Sequence, residues 1–156
     1  MSPVVRLATR DDAPVVGALR RAWTEEIAGG PIDDDDYDRV FAAWAERESH
    51  QRVTWLAELD AEVVGMLNLL VFTRMPRPQP ASGPPPPGQW GYVANVYVVA
   101  RARDAGIGTR LLDAVVAHAD SHGFARLVLS PSERSVDLYE RAGFVPATAL
   151  MLRTPG

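Results

Sequence analysis

The sequence predicts an α/β (α+β) fold, a mixed β-sheet with helices on its faces, with residues 1–156 forming one domain. Three observations lead there. Strand-like and helix-like patterns follow one another as strand, two helices, three strands, helix, strand, helix, strand. Two runs, 63–72 and 90–99, are almost continuously apolar, as strands buried on both faces near the middle of a sheet read. The chain has 156 residues, 47% hydrophobic and 23% charged, enough for one ordinary globular core.

The elements follow in order. Val4 to Ala8 is a short apolar run suited to a strand. Thr9 with Asp12 three residues on resembles a capping box, and Val15, Val16, Leu19, Ala22 and Trp23 then form a helical stripe. Gly29-Gly30-Pro31 breaks that helix. Asp33 to Asp36 precede a second stripe, Tyr37, Val40, Phe41 and Trp44, whose helix runs to about Glu48. Val53, Trp55, Ala57 and Leu59 alternate with other residues as in a strand, and Asp60-Ala61 marks a turn into the first central strand. Between the central strands, 74–89 holds seven prolines from Pro76 to Pro87. Proline cannot donate to a ladder, so this is a loop. After the second central strand come Gly106 and Gly108, then a helix with Leu111, Leu112, Val115, Val116 and Ala119 on one face, closed by His122-Gly123. A short strand at 127–129, a helix over 132–142 ending at Gly143, and closing strands over 144–153 complete the series.

Composition narrows the function classes. The net charge of −4 disfavours a nucleic acid as main partner. With no cysteine there is no disulfide framework, thiolate metal site or cysteine nucleophile. The first residues lack the basic and apolar regions of a signal peptide, and no apolar run reaches the roughly 18 residues a membrane span needs. The cytoplasm is the expected compartment.

The segment Arg103-Asp104-Ala105-Gly106-Ile107-Gly108-Thr109 lies between a buried strand and an amphipathic helix. The first turn of a helix carries N–H groups without intrahelical partners, and glycines let backbone approach an anion closely. A diphosphate fits that chemistry, with Arg103 adding charge; a plain strand-to-helix turn fits it as well. A dinucleotide fingerprint would need a third glycine where Leu111 stands, and a P-loop would need a lysine, of which the chain has none.

Asn95-Val96-Tyr97-Val98, a spacer, and Arg103-x-x-Gly106-x-Gly108 resemble the central motif of the GNAT superfamily of N-acyltransferases. Downstream, Leu138-Tyr139-Glu140-Arg141-Ala142-Gly143-Phe144 resembles that family's Leu-Tyr-x-x-x-Gly-Phe signature. The resemblance extends to the order of elements over essentially the whole chain. It implies a mostly antiparallel central sheet with splayed central strands, and acetyl-CoA as co-substrate. The backbone of Val96, Tyr97 and Val98 would pair with the pantetheine arm, and an N–H near Val98 would polarise the thioester carbonyl. Arg103, Asp104, Ala105, Gly106, Ile107 and Gly108 would hold the pyrophosphate, with a hydroxyl contact from Thr109. Tyr139 would protonate the departing thiolate, since a phenol stays protonated at neutral pH.

Two positions depart from the family pattern. Ala94 stands where many relatives carry a glutamate that serves as base through water, so the base comes from elsewhere or the proton leaves through a water chain. Glu25, Glu26 and the Asp33–Asp36 run are the candidates, because the first two helices border the acceptor site in this fold; Asn95 is a further candidate contact. Ser132 stands where asparagine is common near the pantetheine arm, and its hydroxyl can make a similar hydrogen bond.

The resemblance implies an amine acceptor, on a small molecule or a peptide; charge, the apolar runs and the lack of ligand clusters lead us to expect no nucleic acid, membrane or metal. A homodimer is common in such folds, and the C-terminal strand would be its contact. Rival readings are a non-catalytic module that senses acyl-CoA, which Ala94 favours and Tyr139 opposes, and a nicotinamide-dependent oxidoreductase. The four aspartates suit a helix start or the attraction of a cationic amine, and the proline-rich segment suits a connector, a lid or a polyproline-reading partner. His118 and His122 have a spacing some zinc sites use but no third ligand, and Ser130 and Ser132 lack a nucleophile elbow.

Overall fold

In the computed structural model, which describes residues 2–156, five strands form one sheet in the order β1 (Val4–Leu7), β2 (Arg52–Leu59), β3 (Glu62–Thr73), β4 (Gln89–Val98) and β5 (Leu127–Val128). The first four are antiparallel to their neighbours, and β5 joins β4 in parallel. The sheet is therefore mostly antiparallel. Asp60 and Ala61 turn β2 into β3 with φ of 52° and 64°, the left-handed pair of a type I′ hairpin. Residues 74–88 form an irregular loop, pinned at its base by the Arg74 N–H on the Gly88 carbonyl (2.8 Å) and by Phe72 stacked on Trp90.

Helices cover both faces. Helix α1 (Ala13–Ala28) packs Leu19 with Leu56, Met66 and Tyr97 on one face, and α2 (Tyr37–Glu48) lies beside it without burying any residue fully. Helix α3 (Ile107–Ser121) drives Ile107, Leu111, Leu112 and Val115 into the other face against Trp55, Ala57, Val64 and Leu67. Each such aliphatic side chain contributes about 1.5–3 kcal/mol when withdrawn from water. The capping box expected at Thr9 is present: its N–H donates to Asp12 Oδ2 at 2.7 Å, and a short 3₁₀ turn leads into α1. Gly29 ends α1 in the left-handed conformation.

Two expectations are corrected. The helix over 132–142 divides into a 3₁₀ turn, Glu133–Ser135, and a six-residue α4 (Val136–Arg141). Here Ser135 Oγ accepts from the Ser132 N–H (2.9 Å) and donates to its carbonyl, holding the tighter turn. The closing strands over 144–153 do not form, and the C-terminal strand suggested as a dimer contact is absent with them. The reason lies in β5, whose two paired residues offer too short a ladder for another strand. Pro146 also lacks a donor, and Val145, Met151 and Leu152 stay exposed. No helix among the described residues is long and apolar enough to cross a membrane.

Candidate active site

The site begins where β4 parts from its neighbours. Asn68 faces Asn95 and Leu69 faces Val93, so Ala94 stands unopposed as a β-bulge. Bulges of this kind re-aim the strand beyond them. On its other side β4 meets β5 only at Gly91 and Tyr92. From Val93 onward the two strands are splayed, as the resemblance implied. The Val99 N–H donates to the Val64 carbonyl (2.9 Å), and Tyr97 pairs with Met66. The alternation of an antiparallel ladder therefore turns the N–H and C=O of Val96 and Val98 away from β3 and toward the opening.

The opening leads to a cavity of about 320 Å³ at the N-terminus of α3. Val96 and Val98 form one wall and Arg103, Asp104 and Gly106–Thr109 another. Gly106 caps the helix with φ +74°, a conformation that L side chains adopt at a cost of about 1–2 kcal/mol. Gly108 answers a different demand, because a Cβ there would sit 3.3 Å from Leu138 Cδ2. Arg110 is the first residue of the turn to bond back, to the Gly106 carbonyl at 3.1 Å, so the amides of Ile107, Gly108 and Thr109 have no intrahelical acceptor.

Arg103 is committed elsewhere. Its Nε donates to the Val98 carbonyl (2.9 Å), and its Nη2 donates to both oxygens of Glu26 (2.7 and 2.9 Å). The Tyr97 hydroxyl also donates to Glu26, at 2.9 Å, and its ring stacks on Trp23, inside the core beneath α1. The Arg103 hydrogen bond, then that of Tyr97, lowers the Glu26 pKa. Burial raises the Tyr97 pKa. A carboxylate held as an anion in this way is a weaker base than a free one. Glu25 accepts from the Ile32 N–H (3.1 Å) and so anchors the loop after α1, which Arg21 clamps through the carbonyls of Ile32 and Asp34. Asp33 to Asp36 are exposed in that loop.

The remaining candidates are distributed around the cavity. Ala105 is exposed on the turn and is not part of the cavity wall, and Ser132 is spent on its bond with Ser135. Tyr139 is half-buried on α4, edge-on to Phe144 at 5.9 Å, and lines a neighbouring apolar cavity bounded by β5. Burial raises its pKa, so the phenol is protonated at neutral pH. On the same helix Leu138 and Arg141 line the cavity at the N-terminus of α3, the candidate cradle. Sequence reasoning assigned no role to Arg141, although it stands inside the Leu-Tyr signature, and its exposed guanidinium is in no ion pair among the described residues. No group of three or more metal-ligating side chains occurs among the described residues.

Known proteins resemble this arrangement from end to end. The structure superposes on a predicted acetyltransferase from Clostridium acetobutylicum, determined with acetyl-CoA, with a TM-score of 0.73 at 19% identity, over 97% of this chain and 96% of that one. A GCN5-related N-acetyltransferase from Ralstonia eutropha JMP134 gives 0.71 at 24% identity over 99% and 100%. An integron cassette protein from the mobile metagenome of Cole Harbour Salt Marsh gives 0.72 at 25% identity over 97% and 89%. No curated protein matches the chain. The model of the acetyltransferase (GNAT) family matches residues 17–144, from inside α1 through the bulged strand and the cradle to Phe144, and on that match the chain belongs to the GNAT acetyltransferase family.

Proposed function

We propose that residues 1–156 act as one N-acetyltransferase domain that moves an acetyl group from acetyl-CoA to a primary amine by direct attack. The observation that carries this reading is the continuity of the opening. The outward-facing backbone of Val96 and Val98 leads, along one cavity, to the acceptor-free amides of Ile107, Gly108 and Thr109. The first can pair with an amide-bearing arm, and the second suits a diphosphate at a helix N-terminus. Arg141 is the unpaired cation at the rim among the described residues, beside Arg103, which Glu26 holds. The determined relative with acetyl-CoA has the same fold.

The chemistry needs little from side chains. The amine nitrogen bonds to the acyl carbon as the C–S bond breaks; the ammonium proton goes to water and the sulfur takes a proton from the protein. The Val98 N–H faces the opening, where it stabilises charge developing on the carbonyl oxygen. Tyr139 supplies the proton to sulfur from α4. At the bulge Ala94 has no proton-accepting group, and Glu26 is held by Arg103 and Tyr97, so deprotonation runs through solvent.

The test is release of free CoA thiol from acetyl-CoA on adding a panel of primary amines. Amine-dependent release supports transfer. Saturable acetyl-CoA binding without release from any amine would sink it and favour the acyl-CoA-sensing module for which Ala94 speaks.

A further inference from the structure

Two cavities of about 450 Å³ each flank α2, between that helix, α1 and the sheet. Both differ from the cradle, and they differ from each other in charge. In the first, Glu48 pairs with Arg52, Arg10 pairs with Glu46, and the Arg52 Nη1 donates to Asn68 Oδ1 at 2.9 Å. Its charges are satisfied internally. In the second, no carboxylate lines the wall, and three arginines do: Arg20 from α1, whose guanidinium lies over the Trp23 ring at 4.8 Å, with Arg39 and Arg47 from α2.

Of these three, Arg39 is shared with Asp36 (3.2 Å) at an exposed position, while Arg20 and Arg47 are in no ion pair among the described residues. Arg39, Ala43 and Arg47 form one i, i+4 row on α2, and the small middle residue leaves space between the two cations. Beneath them Phe41 and Trp44 supply an aromatic wall, their rings 5.4 Å apart. The floor includes Asn95, which makes no side-chain hydrogen bond among the described residues. Its neighbour Asn68 has both side-chain atoms engaged, by Arg52 and Thr54. Asn95 is also next to Val96, which lines the cradle. One strand, just past the bulge, thus serves both cavities.

We infer that the acceptor is a primary amine that also carries an anionic group, a carboxylate or a phosphate, on an apolar or aromatic body. Arg20 and Arg47 bind the anion, Phe41 and Trp44 pack against the body, and the Asn95 side-chain carbonyl accepts from the amine and aims it at the opening in β4. Arginine suits this role because its planar fork meets carboxylate and phosphate oxygens with two parallel hydrogen bonds. Polycationic amines are repelled by the two charges that are unpaired among the described residues. The inference rests on the acetyl-transfer reading for its chemistry, but anion binding by the cavity can be read separately.

The experiment has two arms. The first compares kcat/KM for matched amines by thiol release: phenylalanine against phenethylamine, phosphoethanolamine against ethanolamine, and spermidine as the polycation. The anionic member of at least one pair is expected to be better by about tenfold or more, the scale of a hydrogen bond between charged groups. The carboxylate and phosphate pairs show which anion is used. In R20Q/R47Q that preference should fall to within about twofold while the acetyl-CoA Kd is unchanged. The second arm follows quenching of tryptophan fluorescence by N-acetylphenylalanine and by N-acetylphenethylamine, which requires no turnover. Selective, saturable quenching by the anionic compound that is lost in R20Q/R47Q supports the inference, even if no amine is acetylated and the transfer reading fails. Neutral or polycationic amines equal to the anionic ones, or a preference that survives in R20Q/R47Q, would overturn it while leaving acetyl transfer intact.

Discussion

Gly106 and Gly108 stand two residues apart and should fail in opposite ways when each is changed to alanine. Gly106 is left-handed at φ +74°, and a Cβ there meets no atom within 4 Å. The cost is conformational, about 1–2 kcal/mol, partly offset by the roughly 0.4–1 kcal/mol that alanine removes from the unfolded chain's entropy. For a chain of this size about 1 kcal/mol corresponds to about 2–4 °C in Tm. Gly106→Ala should therefore lower Tm by a few degrees. Gly108 is in the first turn of α3, where alanine is the better helix former by up to about 1 kcal/mol. Its Cβ would sit 3.3 Å from the flexible end of Leu138, on the cavity wall, so Tm should hold or rise slightly. The same Cβ intrudes where a diphosphate would rest, and the acetyl-CoA Kd should rise about tenfold or more. Differential scanning fluorimetry and isothermal titration with acetyl-CoA measure the two effects. If Gly108→Ala bound acetyl-CoA like the parent chain, the cradle would have been misplaced. If Gly106→Ala kept its Tm, the left-handed cap would carry no energetic weight.

Tyr139→Phe should lower kcat far more than acetyl-CoA affinity, because the phenol's proton is used only as sulfur departs; a kcat equal to the parent's removes Tyr139 from the reaction. Glu26→Gln should retain kcat within about threefold and keep the acid limb of the pH–rate profile, since Arg103 and Tyr97 already hold that carboxylate ionised. Disappearance of the limb would identify Glu26 as the base after all. His118 has its pKa lowered from the usual 6.5 by burial and by His122 beside it, their rings 4.0 Å apart. The unfolded chain then binds the proton more readily, and stability contributed by neutral His118 is lost as pH falls below about 6.5. Tm measured from pH 8 to 5 should decline over that window, and His118→Gln should flatten the decline; an equal slope in both chains would assign it to other groups.

What could be read in advance, and what could not, divides by the reach of the interactions. Helices α1, α2 and α3 declare themselves through stripes three and four residues apart, and β3 and β4 through unbroken apolar runs, all local patterns. The glycine turn was legible because Gly106 and Gly108 are consecutive with the helix they open. The ion pair of Arg103 was not legible, since Glu26 lies 77 residues away and no pattern links the two. The unopposed position of Ala94 is a property of strand register, which exists only once β3 lies beside β4. The closing strands failed for a related reason: 144–153 carries apolar residues, but pairing depends on the length of β5, two residues. The arginine-lined cavity was hidden because its cations come from two helices, while the four consecutive aspartates drew attention to the opposite charge.

Helix α1 has a consequence that reaches past either cavity. It carries Arg20 at one and Glu26 at the other, six residues and about 9 Å apart along a rigid rod. Glu26 is tied through Arg103 to the Val98 carbonyl. On the proposed reading, an anion held at Arg20 and an acetyl-CoA laid along β4 would therefore bear on one rod from its two ends. By thermodynamic reciprocity, whatever factor the acceptor imposes on acetyl-CoA affinity, acetyl-CoA imposes on the acceptor. Glu26→Gln, which weakens the tie to Arg103, should then reduce any coupling between the two binding events.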